Sequence, residues 1–479
     1  MTFSMACFKR NGLAALLAAF VALSLFAPAA AQQTGERHAT PAARSKVFQF
    51  ALQNGMRVVV VPDRRAPVVT QMLWYRVGGV DDPPGLSGLA HFFEHMMFRG
   101  TKAVPGDQFA RTVARNGGQD NAFTTHDYTA FYEQIAKDRL PIVMGLEADR
   151  MANLDLSDKN VRTERDVVME ERRMRVDNDP QSLLQEQMAA ALHLSHPYGR
   201  PVIGWAGEIR HIGRVEARDF YTHHYAPNNA ILVVAGDVTP AEVRANAEAA
   251  YGKVPARDQV PRADYVQPPR LGETRLAIRR TDVKLPVFVR SYRVVSYTEA
   301  RPGEAEALDV LAQLMGGDAN SALYRSLVVD KKLAADAGVS YDGYRRDSGT
   351  FLLYAVPRPG VSLARLEQAS DAVIARFQKT PPKPADLARA KTQLVADATY
   401  QRDSQFAMAM AYGRALVIGL TAEDVQEWPD RIGKVAPATV QKVAASELVK
   451  AEAVTGYLQP EAPKFVPPAP MPAKREAHQ

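Results

Sequence analysis

Two histidines and a glutamate with the spacing of a metal site lie in the stretch HFFEHMMFRG, at positions 91–100. On a helix, His91 and His95 lie on the same face, one turn apart. Two imidazoles placed in this way can bind one Zn²⁺ ion at roughly 2.0–2.1 Å each. Glu94 lies beside them, and a carboxylate that is next to the metal but not bound to it can take the proton from a zinc-bound water. The spacing therefore predicts hydrolytic metal chemistry.

The order H-x-x-E-H is the reverse of HExxH and occurs in metalloproteases. A chain with ten histidines shows this order by chance on the order of once in a hundred such chains. The alternative is a structural helix face whose histidines bond nearby carbonyl groups. The helix is strongly apolar around them, with Phe92, Phe93 and Met96, and polar groups in such surroundings need partners. We therefore favour metal binding.

A catalytic zinc site needs a third protein ligand and an open coordination position. The acidic segment ERDVVMEERRMR, at positions 164–175, is the obvious source of that ligand. Glu164 and Glu171 are seven positions apart and share one face of a helix, whereas Glu170 points elsewhere. A solvated helix with Glu–Arg pairs on its surface would fit the same residues equally well. The segment by itself leaves both interpretations open.

The elements around these residues follow from hydrophobic patterning and from Gly and Pro signals. The histidine motif falls in a predicted helix from Ser87 to Met97, which Gly100 ends. The other predicted elements are strands at 57–62 and 68–77, a strand pair at 119–132, helices at 135–155 and 159–177, and a buried strand at 229–234. The motif helix is thus expected to lie between strands, with the acidic helix after it.

A proline-containing linker is predicted at 256–272, and the pattern starts again after it. Placing Pro67 on Pro286 aligns APVVTQMLWYRV with LPVFVRSYRVV, and the same offset superposes the helices that follow. This is a weak internal repeat, to which chance similarity of two strand–turn–helix units is the alternative. The counterparts of the three polar motif residues are Val310, Gln313 and Leu314. One half therefore carries candidate ligands on this helix, and the other half carries none.

Further segments make a resemblance to a known family specific. HFFEHMMFRG is followed by NAFTTHDYTAFY, by ERDVVMEERR, and then by HPYGRPVIGWAGEIRHI and FYTHHYAPNNAILVVAGDV. Together they resemble the family of pitrilysin, insulin-degrading enzyme and the mitochondrial processing peptidase, the inverzincins. The resemblance covers essentially the whole chain after the first 31 residues and is strongest from about 48 to 238.

The resemblance implies roles for single residues. It implies one zinc ion per chain, held by three ligands: His91, His95 and Glu171. It makes Glu94 the general base, and Glu164 matches a second acidic residue that supports the site. The edge strand on which the family lays the substrate backbone is matched by Asn121, Ala122 and Phe123. Pairing along an edge strand reads backbone rather than side chains, which suits a peptidase of loose sequence preference.

The resemblance also implies an α+β fold of two related α/β units with antiparallel sheets covered by helices, as in the mitochondrial processing peptidase. Such a chain is half of a clamshell that closes around a peptide. We expect a catalytic zinc peptidase unit at 45–255, the linker at 256–272, an inactive repeat at 273–460 and a Pro-rich tail without ordered structure at 461–479.

One departure from the family pattern concerns substrate binding. The half opposite the zinc in the family usually carries an Arg and a Tyr that hold the substrate. Here Ala322 stands at the position of the Arg and Ala335 at that of the Tyr, although Tyr324 and Arg325 are close enough for a shifted alignment. We therefore expect a heterodimer with a related zinc-less subunit that supplies both side chains, and otherwise a homodimer.

The first 31 residues have the composition of a secretory signal. An apolar run from Leu13 to Phe26 follows a positively charged start, and small residues lead to a predicted cleavage site after Ala31. A transmembrane anchor is the alternative, but the run is shorter than the roughly 20 apolar residues that a span needs. The single cysteine, Cys7, lies inside this segment, so the mature chain would contain no disulfide. Export without disulfides favours a bacterial periplasm, with no membrane association after cleavage.

The charge balance excludes one class of partner. The 479 residues carry a formal net charge of +6 without a dense basic block, which makes nucleic acid a poor candidate. The leading hypothesis is a zinc endopeptidase that hydrolyses peptides or unfolded segments inside a closed chamber, with Glu94 activating the water. Two alternatives stay open: a non-catalytic peptide-binding subunit of the same fold, and a processing peptidase that removes a defined leader from one client. The intact polar motif argues against the non-catalytic subunit.

Overall fold

Two β-sheets covered by helices make up residues 46–461, the part of the chain that the computed structural model describes. The first sheet contains β1 (Phe48–Ala51), β2 (Arg57–Pro62), β3 (Val68–Tyr75), β4 (Gln119–Thr124), β5 (Thr129–Ala136) and β6 (Ala230–Gly236). The second contains β7 (Thr274–Arg280), β8 (Val287–Val294), β9 (Ala334–Asp342), β10 (Gly349–Pro357) and β11 (Val454–Pro460). The predicted signal segment, and the predicted tail beyond Glu461, lie outside the described residues.

The helices of the first half are α1 (Leu89–Met96), α2 (Gln108–Arg115), α3 (Leu140–Asn153), α4 (Asp158–Arg172), α5 (Pro180–Leu192), α6 (Ala206–Ile209), α7 (Arg214–His224) and α8 (Pro240–Tyr251). Those of the second half are α9 (Glu304–Gly316), α10 (Ala322–Tyr324), α11 (Leu363–Lys379), α12 (Pro384–Gln401), α13 (Gln405–Val417), α14 (Ala422–Lys434) and α15 (Pro437–Glu447). In the first half α3–α7 come after the strand pair β4 and β5, and in the second half α11–α15 come after the pair β9 and β10.

The two sheets share one strand order. The first runs β1-β2-β6-β3-β5-β4 and the second β7-β11-β8-β10-β9, so the two match once β1 is set aside. Each sheet also holds one parallel pair at the equivalent place, β2 with β6 and β7 with β11, while every other pair is antiparallel. Strands β3 and β8 span the same positions at the offset of the sequence repeat. The predicted fold of two related α/β units is confirmed, with the addition of a parallel pair to each sheet.

The motif helix forms where the sequence predicts it. Helix α1 begins after Gly88, whose φ of 90° is in the left-handed region that favours glycine. Its apolar side chains, including Phe92 and Phe93, are fully buried in the core of the first unit. A 3₁₀ turn, Met97–Arg99, ends the helix at Gly100, which also has a positive φ, of 80°.

One helix from each unit packs against the sheet of the other unit. Helix α13 of the second half packs on the first sheet, where Met408, Tyr412 and Leu416 meet the buried Trp74. Helix α5 of the first half packs on the second sheet through Leu184, Met188 and Leu192, which join valines of β8 and β11. The two cores are therefore completed reciprocally, a feature that the repeat in the sequence does not show.

The segment between the two sheets contains no helix or strand from 255 to 273. The division into units at 45–255 and 273–460 with a linker at 256–272 stays a proposal, because α5 and α13 cross it in space. Within residues 46–461, no helix combines the length and the apolar character that crossing a membrane requires.

Candidate metal centre

Helices α1 and α4 lie side by side and bring the predicted site residues together. His91, near the start of α1, lies opposite Glu171, near the end of α4. Arg99, just after α1, contacts Glu164, in the middle of α4. The two helices therefore run in opposite directions, and their facing sides carry His91, His95, Glu164 and Glu171.

Three side chains form a group of the size that a metal ion needs. The ligand atoms of His91, His95 and Glu171 all lie within 4.8 Å of one another. Glu171 Oε2 is 3.0 Å from His95 Nε2 and 3.7 Å from His91 Nε2. Two ligands of a tetrahedral zinc ion, each roughly 2.0–2.1 Å away, are themselves about 3.3 Å apart. The observed separations lie on either side of that value.

The polar atoms at the centre of this group support the same conclusion. Glu171 Oε2 is buried, and its neighbours in the group are the Nε2 atoms of His95, at 3.0 Å, and of His91, at 3.7 Å. The other oxygen of Glu171, Oε1, is 2.7 Å from Arg175 Nη1, which leaves Oε2 free to face the two imidazoles. A buried carboxylate needs a positively charged or hydrogen-bonding partner, and a cation bound between the two imidazoles would be one. The three residues therefore fit a zinc ion.

Glu164 supports the site from behind His95. Its Oε1 lies 2.8 Å from His95 Nδ1, and its Oε2 accepts a hydrogen bond from Arg99 Nε. A carboxylate on Nδ1 orients the ring and directs Nε2 toward the centre of the group, as metal-binding histidines require. Glu164 therefore lies where it could support His95, which is the role that the family resemblance implied for it.

Charge at the centre is set by burial and by the two carboxylates. Burial, together with neighbouring His95, lowers the pKa of His91 to about 4. Burial also disfavours charge on His95, but its interactions with Glu164 and Glu171 outweigh that effect and raise its pKa to about 9. Burial tends to raise the pKa of Glu171, yet the contact with His95 holds it below the usual value. The carboxylates therefore favour positive charge at this point, which suits a divalent cation.

Glu94 lies next to the ligands without joining them. Its Oε2 accepts a hydrogen bond of 2.6 Å from the hydroxyl of Thr124, at the end of β4. Burial raises the pKa of Glu94, and the hydrogen bond from Thr124 opposes that rise. A half-buried carboxylate with a raised pKa, held beside a candidate metal site, has the properties expected of a general base.

The structure separates the two adjacent glutamates of α4. Glu170 is exposed and pairs with Arg173 at 3.1 Å on the outer face of the helix. Glu171 faces α1 instead. The sequence left two interpretations of this helix open, and the structure contains both features: Glu–Arg pairs on one face and a carboxylate among histidines on the other.

Strand β4 forms one edge of the first sheet. It pairs only with β5 among the described strands, so its second side is free of strand partners. Asn121 is exposed, while Ala122 and Phe123 are partly buried. Thr124, which closes the strand, reaches Glu94. The predicted substrate-binding strand therefore has an open edge that leads to the candidate base.

The departure from the family pattern falls in the second unit. Ala322 begins α10, and Ala335 is an exposed residue of β9. Tyr324 packs against the core of the second unit, and the neighbouring Arg325 is exposed.

The sequence did not point to two further residues of the candidate site, Arg99 and Thr124. Arg99 follows the motif within HFFEHMMFRG, and Thr124 follows the NAF triplet. Both act through other side chains, Arg99 on Glu164 and Thr124 on Glu94. Their only signal in the sequence is adjacency to a motif, since the contacts join segments far apart along the chain.

Sequence comparison relates the chain to one peptidase family. Residues 57–205 match the family described as Insulinase (Peptidase family M16), and residues 211–394 match the Peptidase M16 inactive domain. Zinc protease PqqE of Helicobacter pylori is 29% identical over 369 residues, which is 76% of this chain and 82% of that protein. An uncharacterized zinc protease of Mycobacterium tuberculosis is 31% identical over 323 residues, 67% of this chain and 72% of that protein.

Solved structures agree with this assignment. A protease from Helicobacter pylori superposes with a TM-score of 0.82 and 27% identity, covering 87% of this chain and all of that one. The periplasmic protease PqqL from Escherichia coli matches in fold alone, with a TM-score of 0.74 and 18% identity over 86% of this chain and 47% of that one. With the inverted histidine motif, the matching family regions and these relatives, the chain belongs to peptidase family M16, the family of insulinase and pitrilysin.

Proposed function

We propose that this chain is a zinc-dependent endopeptidase that acts on peptides or unfolded segments. The observation that carries the proposal is the cluster of His91, His95 and Glu171, whose ligand atoms all lie within 4.8 Å of one another. These three residues would hold the metal. A zinc ion bound there supplies a Lewis acid, which polarises a carbonyl group and makes water easier to deprotonate.

The protein's own groups would do the remaining work. Glu94 would take the proton of the attacking water and pass it to the leaving amine, the usual sequence for a general base beside a scissile bond. Thr124 holds the carboxylate of Glu94 through its hydroxyl. Glu164 keeps the ring of His95 in one orientation through Nδ1. The site thus contains a base, a fixed ligand set and a means of holding each in place.

The substrate would lie along the open edge of β4. An extended peptide can add as a further strand there, with its backbone bonded to Asn121–Phe123. Because Thr124 ends this strand and contacts Glu94, a peptide in that register would bring a carbonyl group close to the base. Backbone pairing supports loose sequence preference, and a chamber closed by a second half would exclude folded proteins.

A partner subunit belongs to the proposal. The chain covers only 47% of PqqL, a single-chain protease of the same fold, and Ala322 and Ala335 stand at the Arg and Tyr positions of the family pattern. We propose a related zinc-less subunit that supplies an Arg and a Tyr. The signal-like first 31 residues support export, for which the periplasm is the proposed destination. A fully active homodimer, purified as a single species, would refute the obligatory partner.

Replacing Glu171 by Gln is expected to lower zinc affinity by about tenfold or more, since it removes a charged ligand. The matched control is Glu170→Gln, because Glu170 is the adjacent residue, is exposed and pairs with Arg173. Zinc content after dialysis and chelator competition measure both variants. Equal losses in the two variants would mean that Glu171 is not the ligand.

The activity itself is tested with a quenched fluorescent peptide and the purified mature chain, alone and with candidate partners. Chelator-sensitive cleavage supports the endopeptidase. Zinc binding without turnover under every partner condition would favour the non-catalytic peptide-binding subunit instead. Cleavage at one site of one client, and not of unrelated peptides, would favour a processing peptidase. Substrate profiling separates these three outcomes.

Replacing Thr124 by Val is expected to shift the acid limb of the kcat/KM profile to higher pH. The hydroxyl of Thr124 lowers the pKa of Glu94 against the effect of burial, so its loss raises that pKa. A base works deprotonated, and a higher pKa leaves less of it deprotonated at a given acidic pH. Thr124→Ser keeps the hydroxyl and is the control. Identical acid limbs for the two variants would rule out this role for Thr124.

A further inference from the structure

We propose that Arg172 is a positioning residue, which holds the end of α4 so that Glu171 stays within reach of the two histidines. The inference rests on the zinc site proposed above. Arg172 is the last residue of α4 and directly follows Glu171. It is only 5% exposed, although an arginine at a helix end would ordinarily reach into solvent.

The guanidinium group of Arg172 joins three separate segments. Its Nη1 donates to the carbonyl oxygen of Gly204 at 2.7 Å and to Glu186 Oε2, on α5, at 2.8 Å. Its Nη2 donates to Glu186 Oε1 at 3.0 Å. The planar fork therefore grips one carboxylate with both nitrogens and a backbone carbonyl with one of them, a geometry that lysine cannot reproduce.

Gly204 lies directly against the start of α1. Both Gly204 and Gly88 have a φ near +90°, and a Cβ on Gly204 would come within 2.2 Å of the carbonyl oxygen of Ser87. The hydroxyl of Ser87 also accepts a hydrogen bond of 3.0 Å from the backbone N–H of Trp205. His91 lies one helical turn after Ser87. Arg172 thus ties the end of α4 to the start of α1 through a backbone contact that leaves no room for adjustment.

The two helices are consequently joined at both ends of the metal group. At one end, Glu164 binds His95 and Arg99. At the other, Arg172 binds the segment that holds the start of α1. The three candidate ligands lie between these two ties, so loss of either tie would let the helices move relative to each other.

Glu171 particularly needs such support because of its place in the helix. The α-helical hydrogen bonding ends at Arg172, and a π-helical turn, Arg173–Asp177, follows at once. A π-helical turn departs from the regular i→i−4 hydrogen bonding of an α-helix, so side-chain contacts have a larger share in fixing the backbone next to Glu171. Besides the contact of Arg175 with Glu171 Oε1, made by a side chain that is 72% exposed, Arg172 is the buried group that fixes this end of α4.

The test measures zinc affinity by chelator competition, together with the absorption spectrum of the Co²⁺-loaded protein. We expect Arg172→Met to bind zinc about 10–100-fold more weakly, the usual range for residues that support a metal ligand, and to change the Co²⁺ spectrum. Arg172→Lys keeps the positive charge beside Glu186 and is expected to show the same loss, because it loses the fork. Melting curves of each metal-free variant distinguish a loss of zinc affinity from a failure to fold.

The matched control is Arg173→Met, one residue further on, where the side chain is exposed and pairs with Glu170 at the surface. It should bind zinc within about twofold of the wild type. Zinc affinity and Co²⁺ spectra of both Arg172 variants equal to those of Arg173→Met would overturn the role of Arg172 while leaving the zinc site intact. A wild type that binds no zinc, or a His91→Ala variant that binds it equally well, would instead overturn the metal centre itself.

Discussion

Replacing Glu94 by Gln is expected to abolish peptide hydrolysis while zinc stays bound. Glutamine keeps the size of the side chain and its hydrogen bond with Thr124, but it cannot accept a proton. General acid–base groups contribute about 10²–10⁴-fold to rate, so kcat should fall by at least that range. The ligand atoms of His91, His95 and Glu171 are unaffected, because Glu94 is not one of the three.

Turnover of a quenched fluorescent peptide and zinc content measure this prediction together. Glu170→Gln, an equally conservative change at an exposed position, is the control for expression and folding. Activity in Glu94→Gln comparable with that of the control would exclude Glu94 as the base. Loss of zinc from Glu94→Gln would show that the carboxylate takes part in metal binding, which the geometry does not predict.

The two units are expected to fail to fold when they are produced as separate chains, 46–272 and 273–461. Each would lose the helix that covers its sheet: α13 from the first and α5 from the second. Burial of one large apolar side chain stabilises by about 1.5–3 kcal/mol. The loss of Met408, Tyr412, Leu416 and their neighbours thus removes on the order of 10 kcal/mol from the first unit, comparable with the whole stability of a typical domain.

Solubility and circular dichroism of each fragment alone, compared with the two fragments expressed together, measure this prediction. Together they should assemble into a folded complex that binds zinc, since no contact is lost except the chain connection. Separate fragments with cooperative melting would show that the units are autonomous domains. Gly413→Leu in the full chain tests the packing of α13 on the first sheet independently. We expect this variant to be destabilised, because even a Cβ at this position would approach the ring of Trp74 to 2.0 Å.

The histidine motif was predictable from sequence because all of its information is local. Spacing of four residues defines one face of a helix whatever the helix packs against. Gly88 and Gly100 mark the ends of that helix for a similarly local reason, a backbone conformation that other residues adopt at a cost. The strands were predictable from alternation and from buried apolar runs.

Residue types and spacing alone did not decide whether Glu171 or Glu170 is the third candidate ligand. The family resemblance was needed to choose Glu171. Helical periodicity shows that the two glutamates point in different directions, but not which direction faces α1. The structure answers this through the packing of α1 on α4, which places Glu171 3.0 Å from His95 and leaves Glu170 outside.

By itself, then, the sequence determined the helix with its two histidines and its candidate base, the strands that flank it and the two-unit repeat, because each depends on short-range patterning. Only the tertiary structure decided how Thr124 and Glu164 hold the site, how Arg172 ties two helices together, and that α5 and α13 are exchanged between the sheets. These features join residues that lie 30 to more than 300 positions apart. Such pairs meet only when the whole core is packed, and packing depends on all its side chains together rather than on any one segment.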